Sequence, residues 1–546
     1  MRGPEIIAAV QEERLTRRKR QRVYGGEPAL CVAYCLEAAG VSVAELDAIV
    51  ICPQAYRSSK RQNPYDNSQL RLHETGVPLL IIPHHLGHAY SVYGTSGFDE
   101  AAILIIDGCG SPAIDLTADE RRAVVRDVPE GVEIISLYQA AGTEIRCTEK
   151  HLVARGEWMS MDGAESMPRF GSLGGLFSSV ATQLFGNPMD AGKVMGLAPY
   201  GKLNLSYRSF FEFNEQEILF KDDVPMQFRH ARRWPQDAEA YQDLAAATQE
   251  ALGFAVLTLA KRLRQQSTAK NLCYAGGVAL NSVVNESLIR EGIFDDVYVI
   301  PPAEDSGCAI GAAIFGVWTL DPASQPFLLE ADEMGRCYSS TEIDRALLET
   351  SGLREEKSSD VVRRCAQLLE KGKIVGWFSG GSELGPRALG QRSILCDARS
   401  ADAKAVLNSK VKHREAFRPF APAILEERAG DWFDFGATSS ISPFMLRVCD
   451  VRSDRRHLVP AIVHVDGTAR PQTVSRKHNQ RLHSLLLEFE NLTGVPLLVN
   501  TSFNIMGEPI VESPVDALRC LLSTGLDACV FHDRIVFKLD PPNADR

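Results

Sequence analysis

The sequence predicts an α/β protein with two domains. At 546 residues the chain is too long to fold around a single hydrophobic core. In its first part, short apolar runs alternate with helical segments, a pattern typical of α/β folds. With 45% hydrophobic and 24% charged residues, the composition is that of an ordinary globular protein.

Strand-like runs mark the first domain, which we expect to span residues 1–335. These runs are rich in consecutive apolar residues, which indicates a sheet covered on both faces. They are Asp47–Cys52, Pro78–Pro83, Ala101–Asp107, Asn271–Ala275 and Val297–Pro301. The segment Thr319–Phe327 contains two prolines and is predicted to begin a linker.

The second domain is expected to span residues 341–546. A predicted helix at Asp360–Lys371 leads into a strand at Ile374–Phe378, and the domain ends with a strand near Ala528–Lys538. The alternation of helix and strand again indicates an α/β unit.

Net charge, hydropathy and cysteine content indicate which partners and which cellular compartment the protein has. The formal net charge of −11 weighs against a nucleic-acid partner, because binding to phosphates needs a basic face. Apolar runs such as Ala101–Ile106 are far too short to cross a membrane. Thirteen cysteines without a CxxC pair suit reduced thiols. We therefore expect a cytoplasmic protein with no membrane partner, and the oligomeric state stays open.

Three histidines follow the strand that ends at Pro83. In a helix, His84 and His88 share one face and can present two nitrogen ligands to a divalent metal. His85 lies about 100° around the helix and is freer to act as a base or a substrate contact. A lone histidine is more often structural, but three within five residues favour a metal site. Asp305, in an acidic turn before a helix, is predicted to be the third ligand.

Glycine-rich turns predict a nucleotide site, because glycines let the backbone approach phosphates closely. The turn after Ala101–Ile106 contains Asp107, Gly108 and Gly110, and Asp107 can hold Mg²⁺. A second turn offers Gly276, Gly277 and Asn281. Each turn alone is more often structural than functional, but the turns together, in this order along the chain, are a more specific indication of a nucleotide site.

Positively charged residues lie in or beside turns of the second region. Several such cations suit a small, dianionic phosphate compound, because guanidinium groups bind phosphate oxygens bidentately. They are Arg387, Arg392, Lys412, Arg414, Arg418 and Arg470. Ser502 and Asn504 can add neutral donors. Any single one of these arginines is about as often paired with an acidic residue at the surface as it is functional.

Eight motifs resemble the carbamoyltransferase family, which includes tobramycin-type antibiotic O-carbamoyltransferases and nodulation-factor carbamoyltransferases. In the first region they are HHLGHA at His84–Ala89, DAGKVMGLAPYG at Asp190–Gly201, GGVALN at Gly276–Asn281 and EDSGCAIGAA at Glu304–Ala313. In the second they are LGPRALGQRSIL at Leu384–Leu395, KHREAFRPFAP at Lys412–Pro422, GTARPQTV at Gly467–Val474 and NTSFN at Asn500–Asn504. The motifs cover nearly the whole chain in order.

The resemblance implies an actin/hexokinase-like first domain, similar to threonylcarbamoyl-transfer proteins, and an adenylate-forming, YrdC-like second domain. It implies ATP with Mg²⁺, and Fe²⁺ or Zn²⁺ held by His84, His88 and Asp305, which are catalytic together with His85. The implied nucleotide-binding residues are Asp107, Gly108, Gly110, Lys193, Gly276, Gly277 and Asn281. The implied substrate residues are Arg387, Lys412, Arg418, Arg470, Ser502 and Asn504.

The implied activity is O-carbamoyl transfer from carbamoyl phosphate, through a carbamoyl-adenylate made with ATP, to a small-molecule hydroxyl. The acceptor stays open among an antibiotic sugar, a macrolide and a nodulation lipo-oligosaccharide. A tRNA threonylcarbamoyl-type enzyme is an alternative, against which the net charge and the arginine motifs count. A hydrogenase-maturation carbamoyl enzyme should carry acylphosphatase and zinc-finger segments, which we do not recognise in these residues. A non-catalytic, actin-like nucleotide-binding protein is the third alternative.

The start of the chain departs from the family pattern. The family should open with a strand and an acidic phosphate turn before the segment Ile6–Arg18, and Met1–Glu5 offers no such turn. We therefore expect the first domain's sheet to lack a strand near Ile6–Val10.

Overall fold

Two units make up the computed structural model, which describes residues 1–21, 29–54, 75–160, 169–202, 205–214, 217–221 and 235–539. The first unit consists of residues 1–6 and 41–329. The second consists of residues 330–546 together with the segments 7–21 and 29–40. Each unit has its own β-sheet.

The segments 7–21 and 29–40 were expected in the first domain, but their contacts place them in the second unit. The Arg17 guanidinium donates hydrogen bonds to the carbonyl oxygens of Pro509 and Ile510 at 2.9 and 2.7 Å. The Arg14 guanidinium donates to the Gly385 carbonyl at 2.8 Å. A guanidinium that is removed from solvent needs hydrogen-bond acceptors, and these acceptors of Arg14 and Arg17 belong to the second unit.

The α-helices of the described residues are mostly short, and the longest has 29 residues. They are α1 (Glu12–Thr16), α2 (Leu30–Ala39), α3 (His84–Gly94), α4 (Ala118–Arg122), α5 (Leu173–Phe185), α6 (Ala191–Leu197), α7 (Ala238–Gln266), α8 (Ser282–Glu291), α9 (Gly307–Leu320), α10 (Ser340–Glu349), α11 (Val361–Glu370), α12 (Ala403–Leu407), α13 (Ala429–Trp432), α14 (Gln480–Thr493) and α15 (Pro514–Ser523). Within the described ranges, no helix combines the length and the apolar character that a membrane span requires.

The strands form two main sheets and several small ones. They are β1 (Ile49–Ile51), β2 (Leu79–Ile81), β3 (Glu100–Ile106), β4 (Gly131–Ala141), β5 (Glu144–Ala154), β6 (Met159–Ser160), β7 (Arg169–Phe170), β8 (Phe211–Phe213), β9 (Ile218–Phe220), β10 (Asn271–Ala275), β11 (Asp296–Tyr298), β12 (Leu353–Lys357), β13 (Val375–Phe378), β14 (Arg392–Cys396), β15 (Ala421–Leu425), β16 (Phe433–Asp434), β17 (Cys449–Val451), β18 (Thr468–Ala469), β19 (Gln472–Val474), β20 (Leu497–Ser502), β21 (Ala528–Phe531) and β22 (Arg534–Lys538).

The main sheet of the first unit has five strands in the order β11-β10-β3-β4-β5. Strands β3, β10 and β11 are parallel, and β4 is antiparallel to both of its neighbours. From Ala101 to Ile106 every residue of β3 is buried, as its continuous apolar run predicts. The α/β prediction is confirmed. Strands β1 and β2 form a separate parallel pair, and residues 6–10 form no strand.

Helices α3 and α9 of the first unit approach closely because small residues face each other. A Cβ atom on Gly311 would lie 1.8 Å from the Gly87 carbonyl oxygen. A Cβ atom on Gly94 would lie 2.8 Å from the Ile314 side chain. The small-residue motif at Glu304–Ala313 therefore lets the start of α9 lie against the histidines of α3.

The second unit is built on an eight-stranded mixed sheet with the order β12-β22-β21-β13-β14-β20-β15-β19. Its core includes the fully buried Trp377 and the apolar faces of α11 and α14. The predicted final strand at Ala528–Lys538 is instead the hairpin of β21 and β22. The chain reverses at the polar pair His532 and Asp533, and His532 adopts a φ of +31°.

Candidate functional site

Four side chains of the first unit converge on one point: His84, His88, Asp107 and Asp305, hereafter the histidine cluster. Their nearest ligand atoms all lie within 4.8 Å of one another. His84 Nε2 is 3.3 Å from Asp107 Oδ2 and 3.4 Å from Asp305 Oδ1. His88 Nε2 is 3.8 Å and 4.0 Å from the same two oxygens. The predicted convergence of His84, His88 and Asp305 is present, and Asp107 joins it.

Hydrogen bonds to the first turn of helix α3 fix the backbone of its first two histidines. The His84 N–H donates to Ser111 Oγ at 2.9 Å, and the His85 N–H donates to Glu133 Oε1 at 2.9 Å. The Ser111 N–H also donates to Glu133 Oε1 at 2.9 Å. A carboxylate at a helix N-terminus satisfies free N–H groups and faces the positive end of the helix dipole. Glu133 therefore fixes the start of α3.

Asp107 connects the histidines to two glycine-rich turns. It directly follows β3, and its Oδ1 accepts a hydrogen bond from the Gly277 N–H at 3.1 Å while its Oδ2 faces His84. Gly276 has a φ of +96°, and a Cβ atom there would lie 2.2 Å from the Ile106 carbonyl oxygen. Only glycine fits this turn. We predicted Asp107 to be a nucleotide or Mg²⁺ contact; its distances to the histidines make it equally a candidate metal ligand.

The chemistry of the histidine cluster fits a divalent metal ion. Both ring nitrogens of His88 are buried without a hydrogen-bond partner among the described residues. Burial opposes charge on His84, but Cys308, Asp305 and Asp107 outweigh it and raise the pKa of His84 well above its usual value. Burial likewise opposes charge on Asp107, yet its hydrogen bond with His84 and the nearby imidazole of His88 hold its pKa well below the usual range. Two imidazoles with two carboxylates are therefore a donor set that can hold a divalent metal ion.

A buried charge network lies behind the histidine helix, and sequence reasoning missed it. Lys150 Nζ contacts Glu133 Oε2 and lies 3.0 Å from Glu120 Oε1, while the Tyr138 hydroxyl donates to Glu120 at 2.8 Å. All four residues are buried. A buried ion pair needs such additional hydrogen bonds to offset its desolvation. The one signal in the sequence was Glu133, the single charged residue of the mostly apolar strand β4, since Lys150 lies among other charged residues in β5.

Buried neighbours orient the ring of His85 and keep it neutral. Its Nδ1 is 2.8 Å from Ser136 Oγ, and its Nε2 has no partner among the described residues. Burial, followed by the positive charge of Lys150, lowers the pKa of His85 well below its usual value. A neutral imidazole with an unused nitrogen can accept or donate one proton.

The other predicted nucleotide contacts have local structural partners. Asn281 Oδ1 accepts from the Val284 N–H and caps α8, and its Nδ2 donates to Gln249 at 2.9 Å. Lys193 pairs with Asp190 at 2.9 Å. Gly110 packs against α3, since a Cβ atom there would lie 2.8 Å from the His85 ring. Gly108 lies against α5, where a Cβ atom on Gly174 would be 2.6 Å from its backbone nitrogen.

In the second unit, Lys412 brings together residues from two of the predicted motifs. Its Nζ donates to Asn504 Oδ1 at 2.8 Å and to Ser502 Oγ at 3.2 Å. It ends the π-helical turn Asn408–Lys412, and His413 follows with a φ of +44°. π-Helical turns and positive φ angles are frequent at functional sites.

Four arginines accompany Lys412 and form what we call the cation cluster: Arg387, Arg414, Arg418 and Arg470. Burial, followed by the charge of Arg418, lowers the pKa of Arg387 to about 10 and that of Arg414 to about 9. Burial and the charge of Arg387 hold the pKa of Arg470 well below its usual value, and burial with Arg414 does the same for Lys412. Arg387 Nε and Arg470 Nη1 are buried without a hydrogen-bond partner among the described residues. The cluster therefore favours a multiply charged anion.

Arg392, the remaining cation of the predicted set, has a different environment. Its guanidinium donates to the carbonyl oxygens of Ser379 and Gly380 at 2.6 and 3.1 Å and lies over the Phe378 ring. These contacts tie strands and turns of the second unit together, so Arg392 has a structural role.

Two family models match the chain. Residues 68–314 match the model described as carbamoyltransferase N-terminus, and residues 366–538 match the model described as carbamoyltransferase C-terminus. The two matched ranges contain the histidine cluster and the cation cluster, respectively.

Similar proteins include nodulation proteins of rhizobia. The chain is 35% identical to nodulation protein NolNO of Sinorhizobium fredii (strain NBRC 101917 / NGR234) over 570 residues, which cover 98% of this chain and 78% of that protein. It is 35% identical to nodulation protein NolO of Bradyrhizobium diazoefficiens over 469 residues, covering 83% and 78%. The crystal structure of T. kodakarensis HypF aligns with a TM-score of 0.32 and 16% identity, over 54% of this chain and 44% of that chain.

Proposed function

Because this chain belongs to the carbamoyltransferase family, we propose that it is an O-carbamoyltransferase that uses carbamoyl phosphate and ATP with Mg²⁺. It passes the carbamoyl group, through a carbamoyl-adenylate, to a hydroxyl of a small-molecule acceptor such as a sugar or another natural product. We assign adenylate formation to the second, YrdC-like unit and transfer to the first, actin/hexokinase-like unit.

The observation that carries this proposal is the unpaired charge of the cation cluster. Arg387 and Arg470 make no ion pair with any described carboxylate, and each keeps a buried N–H without an acceptor. An unsatisfied buried charged donor is unfavourable by several kcal/mol. A phosphate dianion supplies the missing acceptors and relieves the repulsion among the cations, so the free protein is prepared for a donor such as carbamoyl phosphate.

Adenylate formation has to release both phosphate and pyrophosphate to balance. Water cleaves carbamoyl phosphate to carbamate and phosphate, and a carbamate oxygen then displaces pyrophosphate from the α-phosphorus of ATP. Arg387, Arg418 and Arg470 would neutralise the phosphate groups, and Lys412, held by Ser502 and Asn504, would complete the anion site. Charge stabilisation by preorganised donors is usually the largest catalytic contribution.

Transfer would take place at the histidine cluster, where His84, His88, Asp107 and Asp305 would hold Fe²⁺ or Zn²⁺. When bound, such an ion supplies Lewis acidity to the carbamoyl carbonyl. The acceptor hydroxyl attacks the carbonyl carbon, and AMP leaves. The unpartnered Nε2 of His85 accepts the hydroxyl proton, because the low pKa of this imidazole keeps it neutral at pH 7. Gly276 and Gly277 would place backbone against the adenylate.

Separate assays for the two half-reactions test the proposal. With carbamoyl phosphate present, the wild-type protein should exchange labelled pyrophosphate into ATP. The variant His88→Ala should retain this exchange and lose carbamoylation of an acceptor, because His88 belongs only to the transfer site. No carbamoyl-phosphate-dependent exchange in the wild type would exclude adenylate formation, and loss of exchange in His88→Ala would show that the two activities are not independent.

A further inference from the structure

Two thiols lie against the opposite edge of the His84 ring from the histidine cluster. Cys308 Sγ is 3.8 Å from His84 Nδ1, and the ligand atoms of Cys52, Cys308 and His84 all lie within 4.8 Å of one another. His84 Nε2, at the other edge of the ring, faces Asp107 and Asp305. The single imidazole therefore lies between two groups of ligands, one rich in oxygen and the other in sulfur.

The fold of the first unit places the thiols of Cys52 and Cys308 beside α3. Cys52 follows β1 directly, and Cys308 is the second residue of α9. Gly87 leaves room for the first thiol, since a Cβ atom there would lie 2.4 Å from Cys52 Sγ and 3.6 Å from the Cys308 side chain. Cys308 is buried, whereas Cys52 is partly exposed.

We propose that Cys52, Cys308 and His84 Nδ1 form a second metal site, which takes a soft or borderline divalent cation such as Zn²⁺ or Cd²⁺. Tetrahedral coordination with the usual Zn–S and Zn–N bonds places sulfur and nitrogen roughly 3.6 Å apart. The 3.8 Å between Cys308 Sγ and His84 Nδ1 is close to that separation. Thiolate ligands favour softer ions than the carboxylates of the histidine cluster do.

The two sites compete for His84. A neutral imidazole has one lone pair, so it binds a metal through either Nδ1 or Nε2 while the other nitrogen carries a proton. An ion held by the thiolates leaves Nε2–H to donate to Asp107 Oδ2, which is 3.3 Å away. A soft ion at the thiols therefore removes one ligand from the histidine cluster, and because thiolates are the ligands, its binding is coupled to proton release.

Cadmium tests this site through properties other than activity. Titration of the reduced, full-length protein with Cd²⁺ should produce the ultraviolet charge-transfer absorption of thiolate–cadmium bonds. The variants Cys52→Ser and Cys308→Ser should each lose the tightest-binding equivalent. His88→Ala should keep it, because His88 serves only the histidine cluster. Cys337→Ser, which changes an exposed thiol elsewhere, is the matched control and should also keep it.

X-ray absorption of the wild-type protein with one equivalent of Cd²⁺ gives an answer that does not depend on folding of the variants. Two sulfur neighbours and at least one nitrogen neighbour are expected. Only oxygen and nitrogen neighbours, or a charge-transfer signal that persists in both serine variants, would overturn the proposal. Because neither readout involves carbamoyl transfer, failure here is distinguishable from failure of the proposed function.

Discussion

Arg470 offers a direct test of the cation cluster. Replacing it with methionine keeps most of the side-chain length and removes the charge together with the buried, unpartnered Nη1–H. Loss of one preorganised donor to a developing charge raises the barrier by about 2–4 kcal/mol. That corresponds to a decrease of about 30- to 900-fold in kcat/KM for adenylate formation.

The same substitution should stabilise the free protein. Burial and the charges of Arg387, Arg414 and Arg418 all disfavour the positive charge on Arg470. Arg470→Met removes that unfavourable charge from the second unit. For a unit of this size, each kcal/mol of relieved repulsion raises the Tm by about 2–4 °C. Lower activity together with higher stability is the signature of a site built for a ligand.

Carbamoyl-phosphate-dependent exchange of labelled pyrophosphate measures the first effect, and calorimetry of the ligand-free protein measures the second. Arg428→Met is the matched control, because Arg428 pairs with Glu490 at the surface and such pairs contribute about 0–1 kcal/mol. It should change neither quantity appreciably. Exchange within about threefold of the wild type in Arg470→Met, or a lower Tm than the wild type, would refute the role given to the cluster.

Two further predictions concern the first unit. Asp107→Asn and Asp305→Asn should both lose bound metal during dialysis, because both carboxylates face His84 and His88. Elemental analysis that finds full metal content in Asp107→Asn would remove Asp107 from the ligand set. Burial raises the pKa of Glu149, but hydrogen bonds from His151, Gln266 and Arg262 outweigh burial and lower it from 4.5 to about 2. The stabilising contribution of ionised Glu149 is therefore complete above pH 4.5 and is lost as the pH falls towards 2. In thermal melts over this pH range, the Tm of Glu149→Gln should fall less steeply than that of the wild type. The same slope in both proteins would contradict the assignment.

Periodicity and motif order predicted most of what positions the two sites. The strand runs at Ala101–Asp107 and Asn271–Ala275 were recognisable because parallel strands buried on both faces need consecutive apolar residues. The i, i+4 spacing of His84 and His88 determines a shared helix face, so their convergence followed from local geometry. The hairpin at the C-terminal end was read as one strand because His532 and Asp533 are only two polar residues within an otherwise strand-like run.

Contacts between distant segments could not be predicted in this way. Glu133 and Lys150 look like ordinary charged residues in the sequence, and only the pairing of β4 with β5 brings them together beneath α3. The place of the segment 7–21 in the second unit depends on Arg14 and Arg17, whose carbonyl acceptors lie 371 and 493 residues further along the chain. Asp107 was recognised as functional, but its position beside the histidines depends on how the sheet and α3 pack.

The two oxygens of Asp107 connect the first unit's glycine turn to its candidate metal ligands. One oxygen accepts the Gly277 N–H, and the other faces His84 Nε2. A ligand that takes over the Gly277 N–H frees this carboxylate to turn towards a cation, and a bound cation in turn draws it away from the N–H. Linkage requires the two effects to be equal, so each ligand must change the affinity of the other by the same factor. Metal loading would then report on occupancy of the turn without any movement of the domains.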